Sequence, residues 1–162
     1  MLEELKNKLG EEIERLTHEL QVTLPEAIKK AVEHGDLREN SEYKSALERQ
    51  QFVQARLNHL TRRAGELSKI DMSQIPSDRI GFGSRVTVVD MRTREEETYS
   101  LVFGDYIDID SGQISVASPL GQALMGKKKG ETVSLTLPRG ERKLKIKSMT
   151  TLAQMAESKE DE

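Results

Sequence analysis

Three carboxylates, those of Asp36, Glu39 and Glu42, gather in one short polar segment of the chain. Carboxylate oxygens suit Mg²⁺, which proteins commonly hold with one or two acids plus the phosphates and waters of a substrate. Acids clustered at an exposed turn repel one another, and a shared cation would offset that repulsion. The segment is too open to hold a metal tightly by itself. The sequence therefore predicts half of a Mg²⁺ site, which a partner molecule completes.

The same acids have a purely structural explanation. Asp36 and Glu39 match the spacing of a capping box, in which two side chains satisfy the free backbone N–H groups of a helix start. Glu42 would then lie in the first helical turn, where a negative charge interacts favourably with the helix dipole. Under this alternative the segment only reverses the direction of the chain.

Basic residues flank the acidic segment on both sides, at Lys29, Lys30, Lys44 and Arg49. They are either the solvated faces of helices or a basic collar that contacts the phosphates of RNA. The chain as a whole carries a formal net charge of −3. Because free nucleic-acid binding normally needs a net basic surface, we expect any action on nucleic acid to depend on a partner protein.

Two apolar stripes predict the helices that position these residues. The first stripe runs from Leu2 to Val32 in steps of three or four, and its phase is kept across Pro25, which favours a kink there over a new helix capped by Thr23. The second is a heptad seam. Its members are Tyr43, Ala46, Gln50, Val53, Leu57, Leu60, Ala64 and Leu67.

Residues 34–42 separate the two stripes and contain Gly35, a residue typical of the position after a helix end. Either Asp36 or Asn40 can cap the following helix. A short connection between two heptad-bearing helices predicts an antiparallel coiled-coil hairpin over residues 1–72, with the acidic segment at its tip.

Beyond a linker at residues 73–78, the pattern changes to short runs with a period of two, which predict strands. These runs lie at residues 85–89, 98–102, 113–116, 132–137 and 142–147. Residues 119–125 predict one short helix that ends at Gly126. We therefore expect an α+β chain, in which the hairpin precedes a small antiparallel sheet domain at residues 79–152. The charged tail, residues 153–162, is predicted to be disordered.

Composition excludes several classes of site and location. The chain has no cysteine, which rules out disulfides, thiolate metal sites and a cysteine nucleophile. No run approaches the length of a membrane span, and the charged N-terminus does not fit a secretory signal. We expect a cytoplasmic protein with no membrane partner and no small-molecule substrate.

The motifs carry a resemblance to a known family. The segment His34-Gly35-Asp36-Leu37-Arg38-Glu39-Asn40-Ser41-Glu42-Tyr43 resembles the tip motif of the Gre transcript-cleavage factors of bacteria, of the GreA type. Residues 82–88, 97–99 and 114–126 are similar to the globular domain of that family, which has an FKBP-like fold. The resemblance spans about residues 3 to 150, and two unrelated motif sets occur in the family's order.

This resemblance implies a partner and a mechanism. Such factors dock their globular domain, which matches residues 79–152 here, on the outer rim of RNA polymerase. They extend the coiled coil through its secondary channel to the active site, where they stimulate cleavage of the nascent RNA 3′ end in backtracked complexes. The tip acids that share a Mg²⁺ with the polymerase match Asp36 and Glu39, and Glu42 matches a further tip acid. Gly35, Asn40 and Tyr43 match residues that shape the turn.

The chain also departs from the family pattern. Val32 and Leu47 occupy the positions at which many members carry arginines that contact RNA, so a basic collar falls to Lys29, Lys30, Lys44 or Arg49. That departure keeps open a second hypothesis, a channel-binding regulator of RNA polymerase with little cleavage activity. A third, suggested only by the FKBP-like fold, is a coiled-coil chaperone or prolyl isomerase, against which the scarcity of aromatic residues argues.

Overall fold

The structure is a computed structural model of the chain and describes residues 1–35 and 37–160. It divides into two compact units, Met1–Ile70 and Asp71–Glu162. The first unit is helical, and the second is built around a sheet. The predicted fold class, a helical hairpin followed by a small sheet domain, is confirmed.

The first unit is a hairpin of helices. Its members are α1 (Leu2–His18), α2 (Leu24–Glu33) and α3 (Ser41–Ser68). Both α1 and α2 pack against α3. The 28 residues of α3 span roughly 42 Å at the rise of an α-helix. This is the arm that the heptad pattern predicts.

Buried apolar side chains form the seam of the hairpin. On α3 they recur every seven residues, at Ala46, Val53, Leu60 and Leu67, as expected for an antiparallel coiled coil. On the facing helices the buried residues keep this interval from Leu2 through Leu9 to Leu16. The next interval, from Leu16 to Leu24, is one residue longer, and Ala31 follows at the original interval. The apolar stripe therefore shifts phase once, between α1 and α2.

A π-helical turn at Glu19–Thr23 holds the extra residue. Its wider bond joins the N–H of Leu24 to the carbonyl of Glu19, five residues earlier. Pro25 follows in the first turn of α2, where its missing N–H is tolerated. The alternative of a new helix capped by Thr23 is wrong, because Thr23 is itself helical and its side chain makes no capping bond.

Two bidentate ion pairs cross the hairpin. The guanidinium of Arg49 contacts both carboxylate oxygens of Glu19, at 2.6 and 3.0 Å, and Arg56 contacts those of Glu12, at 3.0 and 3.2 Å. Both acids and both arginines are seven residues apart, so the pairs lie one heptad apart along the seam. The hydrogen bond from Arg49 is the main cause that lowers the pKa of Glu19 below its ordinary value.

The second unit contains a five-stranded sheet. Its strands are β1 (Arg85–Asp90), β2 (Glu96–Val102), β3 (Gln113–Ser115), β4 (Thr132–Leu137) and β5 (Gly140–Thr150). The order across the sheet is β3-β2-β1-β5-β4. Neighbouring strands are antiparallel except β2 and β3, which run parallel, so the sheet is mixed rather than purely antiparallel as predicted.

One face of this sheet forms the core with the short helix α4 (Pro119–Leu124). Its fully buried members are Ile80, Val86, Val88, Leu101, Leu124, Val133, Leu144 and Ile146. Helix α4 approaches the sheet closely at Gly121, where an added Cβ would lie 2.1 Å from the carbonyl oxygen of Ser115. The predicted short helix at this position is confirmed, and a glycine is required in it.

The end of the chain differs from the sequence prediction. Residues Leu152–Glu160 form the helix α5, so the expected disorder of residues 153–162 is wrong as far as residue 160. The side chain of Leu152 packs on the backbone at Gly83, which anchors the start of this helix. Across the described part of the chain, no helix is long and apolar enough to cross a membrane.

Candidate functional site

The tip of the hairpin is a tight reversal between α2 and α3. Helix α2 ends at Glu33, and the N–H groups of His34 and Gly35 bond back to the carbonyls of Ala31 and Val32. Gly35 has a φ of +111°, a conformation that L side chains rarely adopt. The chain can therefore leave the helix at Gly35 without strain.

Asn40 joins the two sides of the tip through its side-chain amide. The Nδ2 group donates to the backbone carbonyl of Ala31, at 2.7 Å, and Oδ1 accepts from the N–H of Tyr43, at 3.1 Å. The first bond gives the Ala31 carbonyl a second donor beside the N–H of His34, and the second satisfies an N–H at the start of α3. One side chain thus caps one helix and ties it to the other.

The capping-box explanation of the acids is wrong. The cap of α3 is Asn40, and the helix begins at Ser41, so Glu39 precedes the helix instead of lying in its first turn. Glu42 does lie in the first turn of α3, as predicted, where it interacts favourably with the helix dipole. Helix capping therefore does not explain why an acid lies at position 39.

Both described tip acids, Glu39 and Glu42, are exposed to solvent. No hydrogen bond or ion pair engages either carboxylate within residues 1–35 and 37–160. Asp36, the other predicted ligand, lies outside the described residues. The turn that bears Glu39 is tied to α2 and to α3 by the amide of Asn40.

These groups fit a shared Mg²⁺ better than a resident one. Exposed carboxylates supply the hard oxygen ligands that this ion prefers. Among the described residues, however, no group of three or more acidic or histidine side chains is arranged to enclose a metal. Any Mg²⁺ held at the tip would therefore need further ligands beyond the described acids.

The four predicted basic residues fall into two groups. Lys29, Lys30 and Lys44 are exposed on α2 and α3 near the tip. Arg49 is instead bonded to Glu19 across the hairpin, and its guanidinium lies 5.1 Å from the centre of the Phe52 ring. The structure therefore gives Arg49 a role in holding the helices together, while the three lysines remain available to a partner.

Two features of the site were not anticipated from the sequence. The bond from Asn40 to Ala31 spans nine residues, and no local pattern announces it. The ion pairs of the hairpin had a signal, since acids and arginines recur at the heptad interval on facing helices. The heptad spacing of these acids and arginines predicts ion pairs only once the register between the two facing helices is known.

A second cluster of charged groups lies in the sheet unit, centred on Arg142. Its guanidinium donates to Asp90 and to Glu97, at 3.1 Å each, and the hydroxyl of Tyr99 donates to Glu97 at 2.6 Å. Burial, followed by the bond to Glu97, raises the pKa of Tyr99 to about 12. Every member has a partner, so this cluster stabilises the fold and offers no reactive group.

Comparisons with known proteins match both units. A family model described as "Transcription elongation factor, N-terminal" matches residues 1–67, and one described as "Transcription elongation factor, GreA/GreB, C-term" matches residues 75–151. The chain is 40% identical over 149 residues to transcription elongation factor GreA of Sulfurovum sp. (strain NBC37-1), which covers 92% of each chain. It is 40% identical over 140 residues to the protein of that name from Rickettsia canadensis (strain McKiel), which covers 86% of each. The crystal structure of GreA factor homolog 1 from Thermus thermophilus is 26% identical with a TM-score of 0.40, covering 89% of this chain and 93% of that one.

Proposed function

The chain belongs to the GreA/GreB family of transcription elongation factors, and we propose that it binds bacterial RNA polymerase and stimulates cleavage of the nascent RNA 3′ end in backtracked complexes. In this proposal the protein is not an enzyme by itself. It inserts the hairpin into the secondary channel, and the catalytic centre belongs to the polymerase. We expect it to act in the cytoplasm, where transcription takes place in bacteria.

The observation that carries the proposal is the state of the tip. Glu39 lies on a turn that Asn40 fixes to both helices, and Glu42 lies in the first turn of α3; both are exposed and free of internal partners among the described residues. An acid that stabilises a surface turn is normally bonded to the backbone or to a neighbouring cation. Carboxylates that are free of internal partners, on a tip whose backbone is fixed, suit ligation outside the chain.

We assign the two central roles to Asp36 and Glu39. Their carboxylates would hold a Mg²⁺ jointly with the polymerase and accept a hydrogen bond from the attacking water, with Glu42 as a further ligand. When bound, the ion supplies a polarised water and stabilises charge that develops on the phosphate oxygens. Lys29, Lys30 and Lys44 would contact the RNA backbone as it leaves the polymerase active site.

A second candidate function is regulation of RNA polymerase through the same channel with little cleavage. The observation that favours it is Val32, which is 46% exposed near the tip and offers an apolar surface to its surroundings. Arg49 does not substitute for a cation there, because Glu19 engages it. Contact with the RNA backbone would then depend on Lys29, Lys30 and Lys44 alone.

A transcript-cleavage assay separates the two candidates. Purified bacterial RNA polymerase is stalled and backtracked on a labelled RNA, and short 3′ fragments are measured after the protein and Mg²⁺ are added. The Asp36→Asn and Glu39→Gln variants should each lower the cleavage rate by about a hundredfold. Both variants should retain their affinity for the polymerase, because the changes remove a charge without altering the hairpin.

The matched control is Glu48→Gln, which neutralises an exposed acid on α3. This variant should cleave at the rate of the unmodified protein. Unchanged cleavage in both tip variants would contradict the assignment of these acids. Tight polymerase binding without fragments, in the unmodified protein, would favour the regulatory function.

A further inference from the structure

The exposed face of the sheet carries a cluster of cations that the tip chemistry does not use. Four of them surround a shallow depression of about 440 Å³, and we call this surface the basic face: Arg94, Lys129, Lys145 and Lys147. They come from three separate parts of the fold, namely the β1–β2 turn, the loop before β4, and β5. The fold thus brings together charges that are distant in sequence.

Strand register explains how the cluster forms. Val89 on β1 lies opposite Glu96 on β2 and opposite Lys145 on β5. Lys147 pairs with the carboxylate of Glu96, so its charge is balanced within the sheet. No carboxylate among the described residues pairs with Lys145, which leaves its charge available.

Backbone contacts fix the other two cations at the rim. Lys129 precedes Gly130, whose N–H donates to the carbonyl of Ile146 on β5 at 2.8 Å. Arg94 is held in the β1–β2 turn, where its N–H donates to the carbonyl of Asp90 at 2.9 Å. Neither side chain has an acidic partner within the described part of the chain.

Arg94 also stands in a strained backbone conformation. Its φ of +65° is the one positive value at a non-glycine position among the described residues. Glycine or asparagine would occupy this position of a turn with less strain. A conformation that opposes stability, at a residue whose side chain lines a recess, indicates that the cation itself is useful.

The floor of the depression is apolar. Val89 and Met91 lie between the cations, and Met91 is 39% exposed. A nucleic-acid backbone gains little from such a floor, because its contacts with proteins are dominated by phosphates. An acidic protein segment that also carries apolar side chains matches both parts of the surface, with carboxylates against the rim and aliphatic groups on the floor.

We propose that the basic face, centred on Arg94, Lys129 and Lys145, binds an acidic amphipathic segment of another protein. The occupant is a short helix or strand with Glu or Asp beside Leu, Ile or Met. This interaction is separate from the chemistry of the hairpin tip. It would add a contact of the sheet unit to the docking on RNA polymerase that the family resemblance implies, whether or not the protein stimulates RNA cleavage.

The test uses the full-length protein and three fluorescent probes in low salt. They are a peptide of repeated Glu-Glu-Leu-Leu units, an all-glutamate peptide of the same length, and a single-stranded RNA with the same number of negative charges. The first peptide should bind most tightly. The charge-reversal variant Lys129→Glu/Lys145→Glu should weaken its binding by about tenfold or more.

The control variant Lys159→Glu reverses an exposed charge on α5, which does not line this depression, and should bind like the unmodified protein. Met91→Ser should reduce the binding of the mixed peptide to that of the all-glutamate peptide. Equal losses in the charge-reversal and control variants would overturn the proposal, as would an affinity for RNA that equals or exceeds that for the mixed peptide.

Arg94→Gly gives a second, independent test. The change relieves the strained backbone and removes the cation, so the variant should melt at a higher temperature and yet bind the mixed peptide more weakly. A purely structural role for Arg94 predicts a lower melting temperature. Unchanged peptide affinity in this variant would contradict the role of Arg94 in binding.

Discussion

Replacing Asn40 should loosen the tip of the hairpin without disturbing the rest of the seam. The Asn40→Ala variant loses the bond to the Ala31 carbonyl, at 2.7 Å, and the bond from the Tyr43 N–H, at 3.1 Å. The lost helix cap costs about 1 kcal/mol, and the lost interhelical bond costs about as much again. Together they should lower the free energy of unfolding of the hairpin unit by about 2 kcal/mol.

Thermal unfolding followed by helical circular dichroism measures this change. For a unit of this size, about 2 kcal/mol corresponds to a melting temperature lower by roughly 8–16 °C. Asn40→Ser separates the two bonds, because serine can still cap α3 but is too short to reach Ala31. The free energy of unfolding of Asn40→Ser should fall by about half as much as that of Asn40→Ala.

The control is Asn58→Ala, which removes an exposed asparagine from the middle of α3 and should change the stability by less than about 0.5 kcal/mol. Hydrogen exchange locates the effect, since the amide of Tyr43 should exchange faster in Asn40→Ala, which loses the cap, but stay protected in Asn40→Ser, which keeps it. An Asn40→Ala protein as stable as the unmodified one, with unchanged exchange at Tyr43, would refute the role given to this side chain.

Three further predictions follow from the packing and the charges. Because Arg49 lowers the pKa of Glu19 in the folded state, the pair stabilises the hairpin fully above the unfolded pKa and loses this effect as the pH falls through the folded value. The stability gap between the unmodified protein and Glu19→Gln should therefore close as the pH falls below the ordinary pKa of a glutamate carboxyl. A constant gap would contradict the pairing. Burial and Glu97 raise the pKa of Tyr99 to about 12, so an absorbance titration should show one late tyrosine that is missing in Tyr99→Phe. Val53 has no exposed surface, and Val53→Ala should lower the free energy of unfolding by about 2 kcal/mol in urea denaturation, whereas a loss below about 0.5 kcal/mol would indicate a loosely packed seam.

Periodicity was sufficient to predict the hairpin, because apolar residues at heptad spacing fall on one face of an α-helix. Val53 and Leu60 follow from their spacing alone. The π-helical turn could not be predicted from spacing. Pro25 indicates that the helix is perturbed, but not which backbone hydrogen bonds replace those that it prevents. The interval of eight residues between Leu16 and Leu24 is present in the sequence. It does not stand out there, because other apolar residues fill the stripe at steps of three or four.

At the tip, the sequence predicted Asn40 as one of two possible caps of α3 but did not predict the local geometry. Asn40 was a recognisable helix cap, whereas its second bond depends on how closely α2 returns to α3. The spacing of Asp36 and Glu39 fits a capping box, but the start of α3 at Ser41 excludes that role for Glu39. In the sheet unit, the parallel pairing of β2 with β3 could not be predicted, because the intervening loop carries no signal of its direction.

The dependence of cleavage on Mg²⁺ concentration tests the central claim most directly. If Asp36 and Glu39 share the ion with RNA polymerase, each tip variant should need a higher Mg²⁺ concentration for half-maximal cleavage, and excess Mg²⁺ should partly restore the rate. Polymerase affinity should stay unchanged throughout. A half-maximal concentration equal to that of the unmodified protein in both variants would contradict the account.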